Sequence, residues 1–208
     1  MALDLEDQEQ LDEFKVWWNK YGKLTINLVL LMVVAYASWQ AYQYFQHKKA
    51  VEASDIYQGL VQLDPAKIDL VKVEAAKLMD GYSATPYAGR AAVFLAKSNF
   101  AAEDAKSAKS QLEWAVANAE ESAVKAIASL QLATLLLDEK DYAGAEKVLA
   151  ADIDKGFAGL KDGLLGDVFV AQGKITKAKE SYERALTNLD GDGRLSLFTQ
   201  QKLDSLGS

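Results

Sequence analysis

The sequence predicts an all-α chain: a single N-terminal transmembrane helix followed by a solenoid of helix hairpins. Three observations carry this. Leu24–Gln46 runs for 23 residues without Asp, Glu, Lys, Arg or His. The 208 residues include only two prolines and many alanines, which favours helix throughout. Beyond residue 86, small and bulky apolar residues recur at intervals of 37 and 33 residues. The expected organisation is an acidic segment at 1–23, a signal anchor at 24–46 and a helical domain at 47–208.

The heart of the anchor, Leu28-Val29-Leu30-Leu31-Met32-Val33-Val34-Ala35, is apolar on every side, whereas a surface helix keeps a polar stripe. At about 1.5 Å per residue the stretch covers about 34 Å, enough for a hydrocarbon core of about 30 Å. Lys20 and Lys23 close one end, and His47, Lys48 and Lys49 the other. Trp17, Trp18 and Tyr21 precede it, and Trp39, Tyr42, Tyr44 and Phe45 lie towards its far end, as expected of rings held at headgroup depth in a lipid bilayer. Thr25, Asn27, Ser38, Gln40 and Gln43 are polar residues inside the span. The competing readings are a buried helix of a soluble core and a cleaved secretory signal. Ala35-Tyr36-Ala37 before Ser38 has the form of a cleavage site, but the leader is long and acidic where a signal peptide has a short basic one.

Orientation follows from the flanking lysines. Lys15, Lys20 and Lys23 against Lys48 and Lys49 favour a cytoplasmic N-terminus. The first 23 residues carry 6 acids and 3 bases, with Leu11, Phe14, Trp17 and Trp18 at helical spacing. This segment is either a solvated tail or an amphipathic stretch that lies on the membrane or docks on a basic partner. From Lys48 onward there are 20 bases and 24 acids. Neither part has the dense positive field a phosphate backbone requires, so no nucleic acid is expected as a partner. The absence of cysteine excludes disulfides and thiolate metal sites.

Between Leu24 and Gln58 there is no glycine or proline, so the anchor helix is expected to continue, with Ala50, Ala53, Ile56, Tyr57 and Leu60 as its apolar stripe. Asp64-Pro65 has the form of an N-cap followed by proline at the first helical position. The helix it announces runs through Ile68, Val71, Ala75, Ala76 and Leu78 to about Gly81. Thr85-Pro86 repeats the start signal.

Three windows then superpose. The first has Leu95-Ala96, Ala108, Leu112 and Ala115; the second Leu132-Ala133, Tyr142, Ala145 and Leu149; the third Leu165-Gly166, Phe169, Gly173, Ile175, Ala178, Tyr182, Ala185 and Leu186. Ala96, Ala133 and Gly166 let the two helices of a unit approach closely. Ala108, Ala145 and Ala178 sit where the second helix crosses back, and Leu112, Leu149 and Tyr182 fill the space towards the next unit. Asp141 and Thr176 stand where they can cap second helices. This resembles the tetratricopeptide repeat, with units near 86–118, 123–155 and 159–190. Asn99 stands where an aromatic is usual. A capping helix at 194–206 is expected to cover the open end of the stack with Leu195, Phe198, Leu203 and Leu206.

In the repeat's geometry the leading helices line an inner wall with Arg90, Val93, Lys97 and Phe100, then Ile127, Leu130, Thr134 and Leu137, then Leu160, Asp167 and Val170. This is the candidate protein-binding groove. It is rather apolar and lacks the lysine and asparagine set that grips C-terminal carboxylates in chaperone-binding tetratricopeptide proteins. It suits an apolar segment or a partner helix. The alternative is that several of these side chains pack against neighbouring helices.

No catalytic constellation is found. The one histidine, His47, lies at the membrane edge, and no thiol or second histidine is present to build a triad. Gly156, Gly159, Gly163 and Gly166 suit a loop and a tight helix pair rather than a nucleotide cradle. Asn188-Leu189-Asp190-Gly191-Asp192-Gly193 copies the first half of a calcium loop, but Thr199 stands where the bidentate glutamate belongs, so a polar turn is expected. No enzyme activity, cofactor or metal is expected.

Taken in order, the acidic leader, the anchor followed at once by helix, and Thr85-Pro86-Tyr87-Ala88 before the first repeat are similar to the YfgM family, the ancillary subunits of the SecYEG translocon in Gram-negative inner membranes. So are Lys155-Gly156-Phe157-Ala158-Gly159-Leu160, the run Gly166-Asp167-Val168-Phe169-Val170-Ala171-Gln172-Gly173-Lys174, and the ending Gln201-Lys202-Leu203-Asp204-Ser205-Leu206. The resemblance implies a single-pass inner membrane protein with a cytoplasmic N-terminus and a periplasmic repeat domain. It implies association with the SecYEG translocon and with the membrane-anchored periplasmic chaperone PpiD. The role expected is a non-enzymatic scaffold that assists handover of unfolded secreted proteins to periplasmic chaperones. A membrane tether that regulates a signalling or envelope-assembly partner is the alternative.

Overall fold

The computed structural model describes residues 2–189, 191 and 193–207, with the backbone alone for residues 2–9. Regular structure among them is entirely helical: α1 Ala2–Gln62, α2 Ile68–Gly81, α3 Pro86–Ala101, α4 Ala105–Asn118, α5 Ser122–Asp138, α6 Tyr142–Leu149, α7 Ala158–Ala171, α8 Ile175–Asn188 and α9 Arg194–Ser205, with a 3-10 turn at Lys155–Phe157. The chain divides into two units, Met1–Lys48 and Lys49–Ser208.

In the first unit, α1 is the one helix among the described residues long and apolar enough to cross a membrane. Its side chains from Ile26 to Phe45 are exposed on every side, which fits a membrane protein. Phe14, Trp17, Trp18 and Tyr21 stack along its surface with ring centroids 5.9–6.3 Å apart.

The second unit is built from layers. The end of α1 places Ala53 and Leu60 against Val71, Ala75 and Leu78 of α2 and Ala91 and Leu95 of α3, all buried. A central cluster follows from Ala92, Ala96, Leu112, Ala128, Leu132, Ala133, Leu149 and Val168. Phe169, Ala178 and Tyr182 form the last layer, and Leu203 and Leu206 of α9 pack on it. The alanines allow close helix approach; Leu112, Leu149 and Tyr182 fill what remains.

The three hairpins α3/α4, α5/α6 and α7/α8 turn in the same way. Each leading helix ends with one left-handed residue: Glu103 (φ 62°), Lys140 (φ 63°) and Gly173 (φ 73°). The next amide reaches back five residues, from Asp104 to Asn99 O at 2.9 Å, Asp141 to Leu136 O at 2.8 Å and Lys174 to Phe169 O at 2.8 Å. This is the Schellman closure of a helix end. Asp104 and Asp141 then cap α4 and α6 by accepting from the amides of Ser107 and Gly144. In the third hairpin Lys174 is the N-cap residue and makes no side-chain cap, so Thr176, inside α8, does not cap it.

Asp64 also departs from expectation. Its carboxylate accepts from the Ala66 amide at 3.0 Å, closing a turn, and α2 begins only at Ile68 with Lys67 as N-cap. An aspartate before proline serves a turn and a cap equally well, and here the turn takes it. Pro86 does open α3, but the Thr85 hydroxyl donates back to Tyr82 O at 2.7 Å instead of capping. Asp190 and Asp192 of the oxygen-rich turn lie outside the described residues.

Neighbouring hairpins are tied by polar pairs about one repeat apart. Lys109 meets Glu139 at 2.8 Å, and the Ser122 hydroxyl donates to Asp154 at 2.7 Å. Glu146 accepts from Gln172 and lies 3.4 Å from Lys174. The bond from Ser122, and then that from the Gly156 amide, hold the Asp154 carboxyl below its ordinary value. Exposed pairs of this kind add little stability each.

Candidate functional site

Helix α5 touches α3 on one side and α7 on the other. Between neighbouring helices small residues leave space unfilled: Ala96 and Ala108 at one place, Gly159 and Gly163 at another. Two hollows result. The first, of about 330 Å³, lies among α3, α4 and α5; Ala96, Ala108, Leu112 and Leu135 give it an apolar floor, and Lys97, Phe100, Gln131, Thr134 and Asp138 form its rim. The second, of about 250 Å³, lies among α5, α7 and α9, lined by Leu130, Thr134, Leu160, Leu164, Asp167, Leu195, Phe198 and Lys202 among others. Thr134 belongs to both. Its hydroxyl donates to Leu130 O at 2.9 Å, which holds the side chain against its own helix.

The expected groove residues separate into groups. Lys97, Phe100 and Thr134 line the first hollow, and Leu130, Thr134, Leu160 and Asp167 the second. Phe100 is 58% exposed at the rim of the first hollow. Val93, Leu130 and Leu137 are half-buried and pack on the central cluster; Val93 and Leu137 line neither hollow and shape the wall from behind, whereas Leu130 also faces the second hollow. Ile127 is half-buried and Val170 exposed, and neither lines a hollow.

Two charged members are engaged inside the fold. Arg90 makes a bidentate pair with Glu121, Nε to Oε2 at 2.7 Å and Nη2 to Oε1 at 2.6 Å. The hydrogen bond it donates to Glu121 raises the pKa of the guanidinium, against the lowering effect of burial. Its plane also lies over the Tyr87 ring, 5.7 Å from the centroid. Asp167 accepts from the Tyr182 hydroxyl at 2.7 Å and from Lys202 Nζ at 2.7 Å through both oxygens. Burial, and then the bond to Asp167, push the Tyr182 phenol well above its ordinary value, so it stays a donor. Lys202 in turn lies over the Phe198 ring, 4.6 Å from its centroid. Arg90 therefore ties α3 to the start of α5, and Asp167 ties α9 to the third hairpin.

Sequence reasoning misses the contribution of α9. Leu203 and Leu206 cover the last hairpin as expected. Leu195 and Phe198 do not: they are 52% and 55% exposed and form a wall of the second hollow. The signal is in the spacing, because Leu195, Phe198 and Lys202 follow the i, i+3, i+7 rule of a second helix face. Gln131 and Asp138 are also missed; they share the Thr134 face of α5 at the same spacing.

Comparison with known proteins supplies the context. Residues 15–208 match the family described as a tetratricopeptide repeat-like domain. A protein of Neisseria gonorrhoeae described as an ancillary SecYEG translocon subunit is 31% identical over 208 residues, covering 99% of this chain and 100% of its own. Proteins with the same description from Haemophilus influenzae and Escherichia coli are 26% and 25% identical, over 89% and 99% of this chain and 91% and 99% of theirs.

Proposed function

Because the chain belongs to the YfgM family of ancillary SecYEG translocon subunits, with its tetratricopeptide repeat-like domain, we propose that it is a non-enzymatic, membrane-anchored scaffold of the translocon. The apolar part of α1 is its single anchor. The lysine excess before that helix supports a cytoplasmic N-terminus and a periplasmic repeat domain in the inner membrane. The domain binds protein through the wall of α3, α5 and α7, and it assists passage of emerging secreted chains to periplasmic chaperones, with PpiD as the membrane-anchored partner.

The pair of hollows that meet at Thr134 carries the binding part of this reading. They are apolar at the floor and polar at the rim, the arrangement that accepts apolar side chains while leaving a segment's backbone in water. Exposed Phe100 and Phe198, one bordering each hollow, are the anchors such a segment would meet.

The test is a pull-down of the full chain from detergent-solubilised membranes, paired with photo-crosslinking from Phe100 and Phe198. The expected result is recovery of translocon subunits and crosslinks to secreted chains or to PpiD. Recovery of no translocon subunit with the anchor intact overturns the association. Crosslinks from neither position overturn the groove.

A further inference from the structure

The spanning part of α1 carries a polar stripe that the scaffold role leaves unused. Thr25, Tyr36 and His47 lie 11 residues apart, three turns of helix, and Gln40 and Gln43 fall on the same face between the last two. The apolar members of that face are Val29 and Met32. The Thr25 hydroxyl is returned to its own helix, donating to Tyr21 O at 3.0 Å. Gln46, at the edge, donates to the Tyr42 hydroxyl at 2.7 Å. Tyr36, Gln40 and Gln43 meet no hydrogen-bond partner among the described residues, and all three are exposed.

Depth makes this matter. Tyr36 is near the middle of Leu24–Gln46, and Gln40 lies about 9 Å inside its Gln46 end. A hydroxyl or carboxamide held in hydrocarbon without a partner is costly, and across membranes such groups are satisfied by a neighbouring helix. Asn27, on the opposite face, and Gln43, on this one, are each only about 4.5 Å from an end of the stretch and reach the headgroups, which leaves Tyr36 and Gln40 at depth. Ser38 donates to Val34 O at 2.8 Å. The unmet demand is therefore confined to one face.

We propose that this face is a contact between two copies of this chain, packed in parallel through Tyr36, Gln40 and Gln43. A second copy inserts in the same direction and to the same depth, so a two-fold axis sets each of these residues across from itself. A carboxamide and a phenol each carry both a donor and an acceptor, so each is its own complement, as a carboxylate or an ammonium is not. The span has no charge to oppose the approach. A helix of another protein would need matching polar groups at the same heights; a second copy has them by construction.

The native chain has no cysteine, so single-cysteine variants of the full-length protein report its contacts without background. Met32→Cys and His47→Cys place the thiol on the stripe, and Val34→Cys and Phe45→Cys on the opposite face. On oxidation in native membranes the stripe variants are expected to give disulfide-linked dimers in several-fold higher yield than the opposite pair. Adding Gln40→Leu and Gln43→Leu to Met32→Cys lowers the yield about tenfold, whereas Gln40→Asn and Gln43→Asn, which keep the amides, retain most of it. Equal yields from both faces, no dimer from either stripe variant, crosslinks only to a different protein, or a yield unmoved by the leucine changes would each overturn the proposal.

Discussion

Gly166 lies against the Tyr182 ring: a Cβ at residue 166 would stand 2.5 Å from Cδ1 and 2.9 Å from Cζ. In the first two hairpins the same pair of positions holds Ala96 with Leu112 and Ala133 with Leu149. The third hairpin exchanges one methyl on the leading helix for a ring on the trailing one, and the ring brings the hydroxyl that holds Asp167. Gly166→Ala is therefore expected to destabilise the repeat domain by about 1–3 kcal/mol and to lower Tm by about 2–10 °C. Tyr182→Leu in the same chain should recover part of this loss, which a double-mutant cycle by thermal unfolding will show.

Lys140 closes the second hairpin in the left-handed region at φ 63°, where Gly173 closes the third at φ 73°. The backbone hydrogen bonds around the two are alike, so the lysine side chain adds nothing to the turn and carries its steric cost. Lys140→Gly is expected to stabilise the domain by about 0.5–1 kcal/mol, read as a higher denaturant midpoint with an unchanged slope. The same change at a right-handed helical lysine, Lys147, should do the opposite.

Asn99 is fully buried, and neither its Oδ1 nor its Nδ2 has a hydrogen-bond partner among the described residues. The corresponding positions of the next hairpins hold Leu136 and Phe169, both buried. A buried unpaired amide costs about 1–3 kcal/mol, and leucine has the same branched skeleton but a larger volume, so tighter packing takes back part of what removing the amide gains. Asn99→Leu is expected to raise the stability of the domain by up to about 1 kcal/mol; a fall in Tm, with Asn99→Val also less stable than the native chain, would mean that the amide is satisfied by water or by a partner.

The hairpins are legible in the sequence because close packing of two helices demands small residues at fixed offsets. Ala96, Ala133 and Gly166 mark the approach, and Ala108, Ala145 and Ala178 the return. The candidate spanning helix is legible for a similar reason, since charge in lipid is costly and Leu24–Gln46 carries none. Two features are not. An aspartate before a proline closes a turn or caps a helix with the same atoms, and only the backbone at Asp64 decides between them. Helix α9 has apolar residues on two faces, Leu203 and Leu206 on one and Leu195 and Phe198 on the other. Periodicity alone does not say which pair the last hairpin will cover. The groove suffers from this most, since one of its walls comes from the face left over.

Thr134 offers the cleanest test of that groove, because it is exposed and lines both hollows at once. Arginine at this position is long enough to lie across either hollow and keeps the helical propensity of α5. Away from the core such a change alters stability by no more than about 0.5 kcal/mol. Thr134→Arg is therefore expected to leave Tm within about 2 °C of the native chain. Crosslinks from Phe100 and Phe198 should fall together, because one side chain obstructs both pockets. Loss from Phe100 alone would separate the hollows into two sites with different occupants. Undiminished crosslinking from both, with the domain folded, would show that bound segments run elsewhere and that the exposed faces of α3 and α9 serve some other contact.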